Sequence, residues 1–181
     1  MCTHKRTCLF GRIVNTATEF SPWGHIVQEE WLRSFKVRRE IMPDAYVIMP
    51  NHLHAIVWIV DGDNDTGVPN AGATGRSPLP RQPIPPHQRP RGPACRSLGA
   101  FMAGFKSAAT TRVNTLRNTP GQTFWQRNYH EHIVRNDTEL NAIRRYIAAN
   151  PGAWDRDREN PHGCPAAEVR PAWEFETIPA D

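Results

Sequence analysis

The run AYVIMPNHLHAIVWIV occupies residues 45–60 and carries the clearest strand signals of the chain. Its first five residues, 45–49, are typical of a short strand, and Pro50-Asn51 interrupts that strand. A second, longer run follows from His52 to Val60, and the tight break between the runs predicts that they pair antiparallel. The second run is almost continuously apolar, which favours a central strand buried on both faces by helices.

Helix signals lie on both sides of this strand pair. Ser21-Pro22 predicts an N-cap followed by proline at the first helical position. Further helices are expected to begin at Ser97 and at Asn136-Asp137. The last helix should end at Asn150-Pro151, because a residue before proline resists helical geometry.

Two further elements complete the expected architecture. They are a small hairpin around Asn15-Thr16 and a strand from about Phe124 to Arg135. The resulting order of helix, strand, strand, helix, strand, helix predicts an α+β fold with a layer of helices on one sheet face. Met1-Cys2-Thr3 resembles the end of a strand whose beginning lies outside this chain, so the first strand is expected to be truncated.

The chain is expected to form one domain, since 181 residues allow a single core with tails or an insert. Residues 61–95 hold eight of the 17 prolines and no aromatic residue. Such a segment cannot bury enough apolar surface to offset the entropy of ordering it. The expected organisation is a domain over residues 1–154, interrupted by a flexible insert at 61–95, and a polar, loosely held tail at 155–181.

Composition excludes some classes of protein. No apolar run approaches the roughly 18 residues of a membrane helix, and no secretory signal opens the chain, so a cytoplasmic location is expected. The four cysteines are scattered, which favours reduced thiols that bind no metal. Most of the 22 basic residues are arginines, whose planar guanidinium suits phosphate; a nucleic-acid partner is therefore permitted, although a GC-rich genome produces the same bias.

The triplet His52-Leu53-His54 is the strongest chemical signal. Strand side chains alternate between faces, so both imidazoles should project from one face while Leu53 packs on the other. Two imidazoles at that spacing can chelate one divalent ion, but the same pair also suits ordinary polar contacts. A competing triplet, His130-Glu131-His132, has a charged central residue, which favours contact with substrate or support of the ligands over a metal platform.

The three tyrosines differ in their surroundings. Tyr46 lies in the first strand, where a core role is expected, and Tyr129 lies beside Trp125 and Arg127 in the late predicted strand. Tyr146 lies on the last helix with Asn150 four residues later, on the same helical face. Taken alone, this position favours a structural role for Tyr146.

Three motifs in order resemble the IS200-like transposases, and most nearly their REP-associated tyrosine transposase branch. They are MPNHLHAIV at 49–57, FWQRNYHEHIVRN at 124–136 and YIAANP at 146–151. The resemblance extends from about Cys2 to Trp154 without the proline-rich insert. Replication initiators of the same superfamily favour Tyr-x-x-Lys, and relaxases place their tyrosine before the histidine pair; neither pattern fits this chain.

The resemblance implies a ferredoxin-like antiparallel sheet with helices on one face and a catalytic C-terminal helix. It implies that His52 and His54 bind a divalent metal, Mg²⁺ or Mn²⁺, with Asn150 in the position of a third ligand. Tyr146 would be the nucleophile that cleaves single-stranded DNA and forms a 5′-phosphotyrosine link. The activity implied is that of a metal-dependent DNA transposase of the HUH type, in which the two histidines flank a hydrophobic residue.

The implied partner is single-stranded or hairpin DNA, and a homodimer is compatible with this expectation. Four cations are candidates for phosphate contacts: Lys106, Arg112, Arg127 and Arg135. One alternative is a DNA-hairpin-binding protein without catalysis, either domesticated or decayed. Another is a metal-dependent hydrolase with His-x-His on a strand, but the barrel enzymes of that kind need far more than 181 residues.

Overall fold

Four β-strands and three α-helices make up the part of the chain that the computed structural model describes, residues 1–60 and 96–163. In chain order they are β1 (Gly11–Val14), β2 (Ala17–Phe20), α1 (Pro22–Val37), β3 (Ile41–Ile48), β4 (Leu53–Ile59), α2 (Leu98–Leu116) and α3 (Asp137–Ala149). Short 3-10 helices lie at His4–Arg6 and Asn150–Arg156. The fold is therefore α+β with two small antiparallel sheets; the predicted insert at 61–95 lies outside the described residues.

The predicted helix starts are confirmed. The side chains of Ser21, Ser97 and Asn136 each accept a hydrogen bond from the backbone amide three residues later, at 2.8–3.1 Å. Each such cap satisfies an amide that the helix leaves unpaired and contributes about 1 kcal/mol. The last helix ends at Ala149, immediately before Asn150-Pro151, as predicted. None of the helices in the described residues is both long and apolar enough to cross a membrane.

The strand pair β3–β4 separates two layers of helix. Its antiparallel register places Ile48 opposite Leu53 and Val47 opposite His54, which confirms the predicted pairing. One face packs with α1 and α2 in the main core, where the largest fully buried side chains are Trp31, Phe10, Phe101, Phe105 and Phe124.

The other face of β3–β4 is covered by α3. Leu140 and Ile147 of α3 pack with Ile56 of β4 in a second apolar cluster. The prediction of helices on one sheet face is thus right for α1 and α2 but leaves out α3. The reason is that the strand pair is apolar on both faces, so the second face also needs a cover.

The predicted strand from Phe124 to Arg135 is wrong. Only Trp125 forms a bridge, with Thr3, and Cys2 bridges His52 on the opposite side. The Thr3 amide donates a hydrogen bond to the Asn51 carbonyl (2.8 Å), and the Gln126 amide donates one to the Cys2 carbonyl (2.9 Å). The first residues of the chain thus lie between the turn before β4 and residues 125–126. A strand needs a partner along its length to satisfy its amides and carbonyls. Among the described residues no partner continues past Gln126, so residues 127–135 have no regular structure.

The first residues of the predicted tail are held by the domain. Asn51 Nδ2 donates to the Glu159 carbonyl at 2.6 Å, and the Glu159 carboxylate pairs with Arg6 at 2.8 Å. Loose attachment is therefore not observed for residues 157–159. The tail beyond Gly163 lies outside the described residues.

Candidate metal and tyrosine site

The two histidines of the His52-Leu53-His54 triplet lie side by side where β4 begins. Their ring centroids are 4.6 Å apart, and the His52 side chain is only 1% exposed. Leu53 points to the opposite face and is buried in the main core. The predicted alternation along the strand is confirmed.

Asp157 joins the histidine pair. The possible ligand atoms of His52, His54 and Asp157 all lie within 4.8 Å of one another, and His52 Nε2 is 3.8 Å from Asp157 Oδ2. The three residues form a group that could hold a metal ion. Two imidazoles and a carboxylate are a donor set common to several divalent metals, so the set alone does not select one of them.

The hydrogen bonding of His52 fits metal binding. Its Nδ1 lies 2.8 Å from Asn51 Oδ1, whereas its Nε2 is buried and has no hydrogen-bond partner. A buried polar atom without a partner costs about 1–3 kcal/mol. An ion bound to Nε2 would satisfy this atom, and the residues present therefore fit a metal.

Burial keeps both imidazoles uncharged. The pKa of His52 is lowered to about 2, mainly by burial, with smaller contributions from the adjacent His54, the Met1 ammonium and Arg158. Burial likewise lowers the pKa of His54 to about 3, with smaller contributions from the Met1 ammonium and Arg158. Burial also raises the pKa of the Asp157 carboxyl. Because His52 is neutral, its contact with Asp157 is not an ion pair in the metal-free protein, and its lone pair is available for coordination.

Tyr146 of α3 contacts one member of the histidine pair, His54. Its ring meets the His54 ring edge to face, with centroids 5.3 Å apart. The next residue, Ile147, is buried under the helix and holds this turn against the sheet. Arg144 anchors the same turn by hydrogen bonds to both carboxylate oxygens of Asp44. The structure thus brings together Tyr146, His52 and His54, as the sequence motifs predict.

Asn150, the predicted third ligand, lies one turn beyond Tyr146. It is 3% exposed, and its Oδ1 is buried without a hydrogen-bond partner. It lines the same cavity as Tyr146 and the histidines. Its role as a ligand stays a prediction.

Sequence reasoning missed Asp157 and Asn51. In the sequence, Asp157 falls in the predicted tail, and Asn51 falls in the predicted turn between two strands. No spacing rule selects Asp157, because the 3-10 helix Asn150–Arg156 is what returns the chain to β4. The adjacency of Asn51 to His52 was the only available signal in the sequence.

The other two tyrosines have different surroundings. Tyr46 packs in the main core beside Trp31, with ring centroids 6.1 Å apart, which confirms its predicted core role. Tyr129 lines the cavity, but burial and the hydrogen-bonded Glu131 raise the pKa of its phenol. A raised pKa means that the Tyr129 phenol loses its proton less readily.

The competing triplet lies along the same cavity. His130, Glu131 and His132 all line it, and His132 Nε2 lies 2.6 Å from Glu139 Oε1 near the start of α3. This contact links the 127–135 segment to the helix that carries Tyr146. The metal-compatible group within the described residues does not include the triplet.

Two of the four predicted phosphate-binding cations border the site. Arg127 and Arg135 line a cavity of about 1770 Å³ between β4, residues 126–137 and α3. The cavity also contains His54 and Tyr146 in its lining. A cavity of this size could admit part of a nucleic-acid strand.

The other two cations make internal contacts. Lys106 Nζ donates to the carbonyls of Gln126 (2.7 Å) and Arg127 (3.4 Å) and so holds the start of the 127–135 segment. Arg112 is bound by Glu29 and Glu30 of α1, at 2.6 and 2.8 Å, and does not line the cavity. The structure does not bring Arg112 to the site.

Comparison with known proteins identifies a relative. An uncharacterized protein of Haemophilus influenzae (strain Rd) is 30% identical over 158 residues, a match that covers 87% of this chain and 81% of the relative. No protein-family model matches the chain. No solved structure matches it either. The extent and identity of the match show that the chain belongs to the same family as this Haemophilus protein.

Proposed function

We propose that the chain is a single-tyrosine DNA transposase of the HUH type, an IS200-like protein nearest to the REP-associated branch. The observation that carries the proposal is the meeting of Tyr146 with His54 beside a group that could hold a metal ion. An enzyme of this kind needs its tyrosine beside the metal-binding histidines, and the three sequence motifs supply these residues. In this proposal the sheet is the central part of a ferredoxin-like fold, and α3 is the catalytic helix.

The reaction is a transesterification at a backbone phosphate of single-stranded or hairpin DNA. The Tyr146 phenol oxygen attacks the phosphorus and loses its proton to solvent, while the bond to the 3′ oxygen breaks and that oxygen takes up a proton from solvent. The products are a 5′-phosphotyrosine link and a free 3′-hydroxyl. Attack by the 3′-hydroxyl of another DNA end reverses these steps, so the strand is rejoined without ATP.

His52, His54 and Asp157 would hold the divalent metal, which we propose to be Mg²⁺ or Mn²⁺. When bound, the ion supplies Lewis-acid stabilisation of charge on the phosphate oxygens. The protein supplies the remaining requirements. The Asp44–Arg144 contact and buried Ile147 position the tyrosine, and Arg127 and Arg135 place positive charge along the cavity.

Trapping of a covalent adduct tests the proposal. Wild-type protein, incubated with single-stranded hairpin DNA and Mg²⁺ or Mn²⁺, should yield a protein–DNA species that survives denaturing gels. Tyr146→Phe keeps the packing of the ring but removes the nucleophile, so its adduct should fall to background. Tyr129→Phe is the matched control and should retain the adduct.

Mass mapping of the adduct identifies the attacking residue. Undiminished adduct in Tyr146→Phe would contradict the assignment and point to Tyr129 or Tyr46. His52→Ala and His54→Ala should each lose the adduct but keep much of the hairpin affinity, since that affinity depends on phosphate and base contacts. Hairpin binding without any adduct, in either metal, would instead support the non-catalytic alternative.

A further inference from the structure

Asn51 lies at the junction between the histidine strand and the C-terminal segment that carries Asp157. Its side chain is fully buried. Its Nδ2 donates to the carbonyls of Arg6 (2.9 Å) and Glu159 (2.6 Å). Its Oδ1 faces His52 Nδ1 at 2.8 Å. Every polar atom of the amide therefore has a partner.

These contacts determine the orientation of the amide. Nδ2 has two hydrogens, and both are directed at carbonyl oxygens, which can only accept. The reverse orientation would place Oδ1 against the same two oxygens and lose both bonds. Oδ1 must therefore be the atom that faces His52.

The amide orientation determines the proton position on His52. Because Oδ1 can only accept, His52 Nδ1 must carry the hydrogen and donate it. A neutral imidazole has one N–H, so the lone pair is on Nε2. This is the atom that is buried without a partner and lies 3.8 Å from Asp157. The side chain of Asn51 thus selects the form of His52 that can bind a metal at this position.

The same amide holds the segment that supplies Asp157. Its bond to the Glu159 carbonyl lies two residues from the proposed ligand, and the Glu159 carboxylate is paired with Arg6 at 2.8 Å. Loss of the Asn51 amide would release the constraint on the imidazole proton and remove one of the two contacts that hold Glu159. One side chain therefore controls two of the three ligands.

We infer that Asn51 is the positioning residue of the metal site, which keeps the proton of His52 on Nδ1 and ties the Asp157 segment beside Nε2. The assignment of metal binding rests on the proposed function, whereas the position of the proton does not.

Nitrogen-15 NMR of the metal-free protein tests the first part directly. Long-range ¹H–¹⁵N correlation distinguishes a protonated from an unprotonated ring nitrogen, and comparison with His52→Gln assigns the signals. Wild-type protein should show His52 with the proton on Nδ1. A proton on Nε2 would overturn the inference without need of any Asn51 variant.

Variants separate the two parts of the inference. Asn51→Ala should lose the single Nδ1–H form and weaken Mn²⁺ affinity, measured by calorimetry, by about 10- to 100-fold. Asn51→Asp can still accept from Nδ1 but cannot donate to Glu159, so it should keep the Nδ1–H form while Mn²⁺ affinity falls. Asp157→Asn should also weaken Mn²⁺ affinity but leave the His52 signals unchanged.

Glu159→Gln is the matched control. It removes the carboxylate that pairs with Arg6 but keeps the carbonyl that Asn51 binds, so Mn²⁺ affinity should stay within a few-fold of wild type. Wild-type affinity in a folded Asn51→Ala protein would overturn the inference. None of these measurements uses DNA, so a failure to cleave DNA would count against the proposed function and leave the role of Asn51 intact.

Discussion

Acidification should destabilise the metal-free protein through the two buried histidines. Burial is the main cause that lowers the pKa of His52 to about 2 and that of His54 to about 3, whereas both imidazoles titrate near 6.5 when unfolded. Between these values the unfolded chain binds protons that the folded chain does not. Their contribution to stability is therefore complete above about pH 6.5 and is lost as the pH falls toward about 3.

The size of the effect follows from proton linkage. Between about pH 7.5 and pH 5, each imidazole should cost about 2 kcal/mol, and the pair about 4 kcal/mol. Asp157 acts in the opposite direction, because burial raises the pKa of its carboxyl and a folded state that holds a proton more tightly gains stability as the pH falls. The loss of about 4 kcal/mol is thus an upper limit, but it is large compared with a typical free energy of unfolding of about 5–15 kcal/mol.

Urea unfolding followed by tryptophan fluorescence measures this loss. Wild type and His54→Gln should be compared at both pH values with a chelator present. The variant lacks one of the two titrating imidazoles, so its pH-dependent loss should be smaller by about 2 kcal/mol. Comparison of the two losses removes the contributions that other ionisable groups make equally to both proteins. Equal pH dependence in the two proteins would refute the claim that His54 is buried and neutral.

Two further predictions concern packing and DNA binding. Gly24→Ala should destabilise the fold by about 2 kcal/mol or more in urea unfolding, because the new Cβ would lie 2.0 Å from the Phe10 carbonyl oxygen. Gly104→Ala is the control: the added carbon has nothing within 4 Å, so this variant should stabilise α2 by up to about 1 kcal/mol. An equal loss of unfolding free energy in both variants would contradict the packing around Gly24. Hairpin affinity, measured by fluorescence anisotropy, should fall steeply with salt and exceed that for plain duplex. Arg135→Gln should reduce the slope of log affinity against log salt concentration by about 1, whereas Arg112→Gln should leave this slope unchanged. Equal slopes in the two variants would count against the cavity as the DNA-binding surface.

Much of the local structure could be predicted from the sequence. Ser21-Pro22 marks the start of α1, and Pro50-Asn51 marks the turn between β3 and β4. Both signals act through backbone sterics and hydrogen bonds within a few residues, so they need no knowledge of the rest of the chain. The shared face of His52 and His54 follows from strand alternation in the same way. The resemblance of the motifs singled out Tyr146, which the structure places against His54.

Other features depended on contacts between distant parts of the chain. The stretch 124–135 was expected to be a strand, yet among the described residues only Trp125 forms a bridge, because pairing depends on which segment lies beside it. Asn51 and Glu159 are 108 residues apart, and their hydrogen bond helps to place Asp157 beside His52. The residue types and local geometry of the site thus follow from short-range rules. The place of Asp157 as the third member of the group and the proton position on His52 follow only from tertiary packing, since the burial and hydrogen bonds that impose them exist only in the folded chain.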